Sequence, residues 1–254
     1  MIFDSHAHYD DEAFDDDRDE LLQSMHENGV DYIVNSGESV RSSFAGVELG
    51  KKYDFIYSSS GIHPHYASEV TEEDLETVEK IAAENEKVVA IGEIGLDYHY
   101  EGYSREKQIY IFKKQLEIAE RLNLPVIIHS REASQECFDI IKESKVRKGV
   151  IHCYSGSAQM AADYVKMGFY IGIGGVVTYS NAKKLVEVAE NIGIENIVVE
   201  TDCPYLAPTP FRGKRNNSSY IEYVAEKIAE IKGISYKEVC EKTSLNAKNL
   251  FGIK

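Results

Sequence analysis

The sequence predicts an α/β fold, a TIM-type (β/α)8 barrel, on three observations. Eight short apolar runs of strand type recur along the chain, and helical spacing of apolar residues follows them. The length, 254 residues, suits one such barrel, expected as a single domain over 1–254. The first turn, His6-Ala7-His8-Tyr9, lacks the glycine-rich signature of the competing open, doubly wound sheet.

The first strand is expected from Met1, because Ile2 and Phe3 are strand formers, and it leads into His6 and His8. Residues two apart on an extended segment point to the same side, so these imidazoles can aim at one point, the start of a divalent-metal site. The acidic stretch from Asp10 to Glu20 lacks EF-hand spacing and reads as a solvated loop before an acidic helix N-terminus. That helix carries Leu21, Leu22 and Met25 and stops at Asn28-Gly29. Tyr32–Asn35 is the second strand, and a helix through Phe44, Val47 and Leu49 follows. The third strand begins at Phe55 and ends at Gly61-Ile62-His63-Pro64-His65.

Thr71-Glu72-Glu73-Asp74 opens a helix with a capping-box pattern. The fourth strand, from Val88, is expected to end at Gly92-Glu93, leaving Asp97 in the loop beyond. Ile109, Phe112, Leu116 and Ala119 fall at helical spacing. Pro125–Ile128 leads to His129 and Val150-Ile151 to His152, with a helix around Cys137–Ile141 between them. A helix precedes Gly168, the seventh strand covers Phe169–Ile173, and a helix runs through Leu185 and Val188. Ile197–Val199 ends at Glu200-Thr201-Asp202, and two tail helices close the chain.

The strands are nearly all apolar, as a sheet covered on both faces requires. In a closed barrel their carboxyl ends converge on one face. His6, His8, Glu93, His129, His152 and Asp202 would then meet there. Six ligands exceed what one zinc ion takes and suit two divalent ions sharing a carboxylate, about 3.5–4 Å apart. Glu93 is the expected bridge, with His6, His8 and Asp202 on one ion and His129 and His152 on the other. Zinc, magnesium and manganese all remain open. Glu93, Asp202 and His63 are the expected catalytic groups, Asp202 orienting or deprotonating the attacking water and His63 donating to a phosphate or leaving oxygen.

The chain resembles the TatD-type metal-dependent deoxyribonucleases, a branch of the amidohydrolase-like barrels. The matching segments are Phe3–His8, Gly61–Pro64, Gly92–Tyr98, Pro125–Arg131, His152–Gly156, Glu200–Leu206 and Arg212–Asn216. The resemblance implies the barrel, two divalent ions, the ligand set above and hydrolysis of phosphodiester bonds in DNA, in some members from the 3′ end. The family usually continues with Glu-Pro where this chain has Asn217-Ser218.

Arg131 is a candidate phosphate clamp, Asp97 a candidate orienting group, and Arg212, Lys214 and Arg215 candidate backbone contacts beside Asp202. With 17 tyrosines in the chain, Tyr98, Tyr103 and Tyr205 do not discriminate as base-stacking residues. The formal charge of −15 argues against broad attraction to nucleic acid or anionic membranes, so DNA would be held locally and salt-sensitively. No membrane span or secretion signal is apparent, no obligate protein partner is evident, and scattered cysteines suggest a reducing, cytoplasmic setting. A lactone or amide hydrolase using the same binuclear site is the alternative, since such a centre polarises carbonyls as well as phosphoryls. A non-catalytic metal-binding protein is a third reading, disfavoured because structural sites are closed.

Overall fold

Seven parallel pairings join the strands in sequence order. The strands are β1 (Ile2–Ala7), β2 (Val30–Asn35), β3 (Ile56–Ser60), β4 (Val88–Asp97), β5 (Val126–Arg131), β6 (Gly149–Ile151), β7 (Phe169–Ile173) and β8 (Ile197–Val199). The computed structural model describes all residues, Met1–Lys254. The helices are α1 (Arg18–Glu27), α2 (Val40–Lys52), α3 (Glu72–Glu84), α4 (Arg105–Leu122), α5 (Ser134–Glu143), α6 (Ala158–Lys166), α7 (Lys183–Asn191), α8 (Ile221–Lys232) and α9 (Tyr236–Phe251). The TIM-like barrel closes at its mouth rather than along the whole of β8. Asp202 N–H donates to His6 O at 3.0 Å and His8 N–H to Cys203 O at 2.8 Å.

Local chemistry explains the helix starts. Thr71 and Asp74 form a capping box, Ser104 accepts from Lys107 N–H, and Ser235 accepts from Glu238 N–H. Gly29, with φ +101°, follows α1, where an L side chain would be strained. The apolar faces of the helices and the outer faces of the strands form the principal core, including Ile91, Phe112, Ile151, Ile171 and Val224. Phe44 departs from its expected core position and stands 52% exposed on α2. No helix is long and apolar enough to cross a membrane.

The fourth strand differs most from the sequence expectation. It continues past Glu93 to Asp97, and all ten of its residues are buried. Ile94, Gly95 and Leu96 extend the ladder against Ile128, His129 and Ser130. Asp97 therefore ends a strand rather than sitting in a loop. Gly95 permits this: at φ +148°, a Cβ there would lie 1.9 Å from the His129 carbonyl oxygen. The β4–β5 register slips between Ile91 and Ile94, the stretch that contains Glu93.

Candidate metal centre

Glu93 is the focus of the barrel mouth, and its two oxygens face different histidines. Oε2 lies 3.3 Å from His6 Nε2 and 3.8 Å from His8 Nε2. Oε1 lies 2.8 Å from His129 Nδ1 and 3.3 Å from His152 Nε2. Asp202 Oδ1 sits 3.6 Å from His6 Nε2 and 3.4 Å from His8 Nε2. The six residues expected as ligands thus come from β1, β4, β5 and the segments following β1, β6 and β8 into one cluster. Asp202 adopts a left-handed φ of 58°, uncommon for a non-glycine residue and of the kind concentrated at functional sites.

The donor set fits divalent cations. The Nε2 atoms of His6 and His8 stand 3.0 Å apart, and both face the Glu93 and Asp202 oxygens. Their Nδ1 atoms are buried without a hydrogen-bond partner. Ring nitrogens and carboxylate oxygens converging in this way form a set that zinc or manganese accepts. His6 with His8 and Glu93 is one triad, and Glu93 with His129 and His152 is another, so Glu93 belongs to both.

The charges are strongly coupled. Burial disfavours the ionised form of Glu93, but His152, His6 and His129 outweigh it and hold the carboxyl well below its usual range. Asp202 is likewise lowered, burial being overcome by His8, His152 and His6. Burial opposes protonation of His8, yet Asp202, Glu38 and Glu93 raise it to about 10. His6, stacked 3.6 Å from His152, is lowered by burial and by that neighbour's charge.

His63 stands at the rim, its Nε2 3.8 Å from Glu93 Oε1. Burial and the neighbouring His129 push it well below the ordinary range, so the ring is neutral. Its Nδ1 accepts the His65 amide at 3.2 Å, which puts the proton on Nε2, facing the cluster. Asp97 is buried, and its Oδ2 lies 3.0 Å from both His129 Nε2 and His65 Nε2. It therefore orients His129, and it also binds His65.

Two carboxylates matter that sequence reasoning did not single out. Glu200 is fully buried, with Oε1 accepting the Cys153 amide at 2.5 Å and lying 3.4 Å from His152 Nδ1. It backs His152 as Asp97 backs His129. Its position beside Thr201-Asp202 was the available signal. Asp4 lies beneath the cluster, accepting from Thr201 Oγ1 and Ser218 Oγ, each at 2.6 Å, and from the Thr201 amide at 3.0 Å. Ser218 thus donates to the floor of the site. Asn216 braces the same loop through Thr201 O and Tyr205 O.

The basic residues divide. Arg131 is exposed at the end of β5, its guanidinium 5.2 Å from the Tyr100 ring centroid. Arg212 rests 4.4 Å from the Tyr179 ring centroid, and Lys214 is exposed. The expectation of a substrate contact does not suit Arg215, because its guanidinium is committed to Asp17 (2.8 and 2.6 Å) and Ala13 O. Tyr98 is drawn to Glu136 (2.6 Å) and Arg105, and Tyr205 to Asp11 (2.9 Å). Burial pushes the Cys153 thiol up to about 12 and raises Cys203 further, so neither is a thiolate at neutral pH.

The profile of the family described as TatD related DNase matches residues 3–252. The chain belongs to the TatD-related DNase family. It is 44% identical over 255 residues to the uncharacterized metal-dependent hydrolase YabD of Bacillus subtilis (strain 168), with all of both chains covered. It is 31% identical over 260 residues to the 3′-5′ ssDNA/RNA exonuclease TatD of Erwinia tasmaniensis, covering 99% of this chain and 100% of that one. The crystal structure of YjjV, a TatD homolog from Escherichia coli K12, superposes with a TM-score of 0.95 at 30% identity, covering 100% and 98%. This TatD-family chain is a metal-dependent hydrolase.

Proposed function

We propose that this TatD chain is a two-metal phosphodiesterase that hydrolyses DNA, working from the 3′ end. The observation that carries the reading is the division of Glu93, one oxygen toward His6 and His8 and the other toward His129 and His152. Such a split suits a carboxylate shared by two cations. His6, His8 and Asp202 would hold one ion, and His129 and His152 the other. Lewis-acid charge for the phosphoryl oxygens, and a water acid enough to deprotonate near neutral pH, come from the ions when bound.

The chain's own residues do the rest. Asp202 is ionised and part-exposed, so its carboxylate can orient the attacking water and take its proton. Neutral His63 directs its Nε2–H into the site, where it donates to a phosphate oxygen or to the leaving oxygen. Asp97 and Glu200 fix the rings of His129 and His152. The unpaired cations Arg131 and Arg212 favour an anionic substrate over a neutral amide or lactone.

The test is cleavage of end-labelled single- and double-stranded DNA by protein reconstituted with zinc, magnesium or manganese, beside a panel of lactones and amides. Glu93→Ala and Asp202→Ala should abolish DNA cleavage while retaining the fold by circular dichroism. Turnover of a lactone or amide without any DNA cleavage would overturn the proposal.

A further inference from the structure

Next to the histidine cluster stands a group of aromatic side chains that the chemistry above leaves unused. Tyr100 and Tyr103, in the loop between β4 and α4, are 48% and 40% exposed. His65 joins them, parallel to Tyr103 (5.2 Å between centroids, 13°) and edge-on to Tyr100 (5.0 Å, 78°). Its Nε2 is anchored to the Asp97 oxygen that also holds His129. Arg131 completes the group, with Nη1 3.4 Å from the Tyr100 hydroxyl and no carboxylate partner.

The hydroxyls of these rings are not tied down by carboxylates. Two other exposed tyrosines do park theirs in that way, Tyr110 on Glu72 at 2.7 Å and Tyr205 on Asp11 at 2.9 Å. The Tyr100 hydroxyl meets only Arg131, its ring lying edge-on to His65 and His99, and the Tyr103 hydroxyl has no protein partner. The group also lies close to the reacting centre: His65 is 6.5 Å from His129 between ring centroids, and Tyr100 is one ring further out. A nucleotide whose phosphate lies at Glu93 can therefore bring its base to this wall.

We propose that Tyr100, Tyr103 and His65, with Arg131 at the edge, form a stacking platform for an unpaired nucleobase at the end being cleaved. Every base has a π-face, so such a platform is tolerant of sequence. A paired base is already stacked inside the duplex and cannot reach it, so the platform selects single-stranded ends. The inference rests on the phosphodiesterase reading and names the feature of the substrate which that reading leaves open.

The experiment compares two single-stranded oligonucleotides, one ending in a normal 3′ nucleotide and one whose terminal sugar lacks a base. Tyr100→Leu and Tyr103→Leu together should raise KM for the normal end by about 5- to 150-fold, the range for losing one base–aromatic stack. They should leave KM for the baseless end within about two-fold, and putting rings back with Tyr100→Phe and Tyr103→Phe should recover most of the lost affinity for the normal end. Equal losses on both oligonucleotides, or no loss on either, would overturn the platform. Fluorescence anisotropy of the same oligonucleotides on Glu93→Gln protein separates the two readings. Base-dependent binding that the leucine variants weaken, without cleavage by the metal-loaded wild type, keeps the platform and removes the phosphodiesterase. Cleavage by the wild type with base-independent binding does the reverse, and neither binding nor cleavage removes both.

Discussion

Removing the charge of Glu200 should loosen metal binding, although the proposed ligand set does not include it. Glu200 is fully buried, 3.4 Å from His152 Nδ1, while His152 Nε2 is 3.3 Å from Glu93. At that separation the Glu200 contact is an ion pair rather than a hydrogen bond. Burial opposes a charge on His152, and Glu93 and Glu200 reverse this and raise it well above its usual range. Glu200→Gln keeps an acceptor for the Cys153 amide and nearly the same volume, so it deletes mainly the charge behind His152. Carboxylates behind ligand histidines contribute about 10- to 100-fold in metal affinity. Because Glu93 still faces His152, the low end is expected, about ten-fold or about 1.4 kcal/mol. Glu200→Ala also strands the Cys153 amide and leaves a void, costing about 2–4 kcal/mol of stability, or about 4–16 °C in Tm. Gly172→Ala should mimic the loss without touching the charge, since its Cβ would lie 2.5 Å from Glu200 Oε2. Calorimetric titration with zinc, the visible spectrum of the cobalt-substituted protein and differential scanning calorimetry read these effects. Wild-type affinity together with an unchanged cobalt spectrum in Glu200→Gln would refute the reasoning.

Three further outcomes follow from the same geometry. Burial raises Asp4 from 3.8 to about 7 against the hydrogen bonds of Ser218 and Thr201, so the native chain keeps a proton that the unfolded chain has lost; stability therefore falls as pH rises between about 4 and about 7, by about 1.4 kcal/mol per unit from this group, and the wild-type slope minus that of Asp4→Asn in calorimetry measures it. His8 is protonated at pH 8 in the metal-free chain, so metal uptake there should release at least one proton, seen as a binding heat that changes between buffers of different ionisation enthalpy, and chelation should lower Tm. Arg215→Ala breaks a half-exposed pair with Asp17 and should cost at most about 1 kcal/mol without changing the salt dependence of DNA binding, whereas Arg212→Ala should make the slope of log K against log salt shallower by about 1.

What the sequence disclosed depended on how local each signal was. A barrel strand carries its own period, so apolar runs ending in His6, His129 and His152 were readable one at a time, and closure brought them to one mouth. Glu93 was readable for the same reason, but the end of its strand was not. Ile94-Gly95-Leu96-Asp97 belongs to β4 only because Gly95 lets the His129 carbonyl come close, a fact about the neighbouring strand. The same limit hid Glu200, whose importance comes from His152, 48 positions earlier. It also hid the difference between Arg215, held by Asp17, and Arg131, which has no carboxylate. Charge type can be read from a residue, but its availability depends on what folds against it. Asn217-Ser218 follows the same logic. In the fold the Ser218 hydroxyl reaches Asp4, which also accepts from the His6 amide (3.3 Å) and from Thr201, next to Asp202. The loop that carries Ser218 is thus hydrogen-bonded to β1, the strand that carries His6, and it braces the histidine–carboxylate cluster through that hydroxyl.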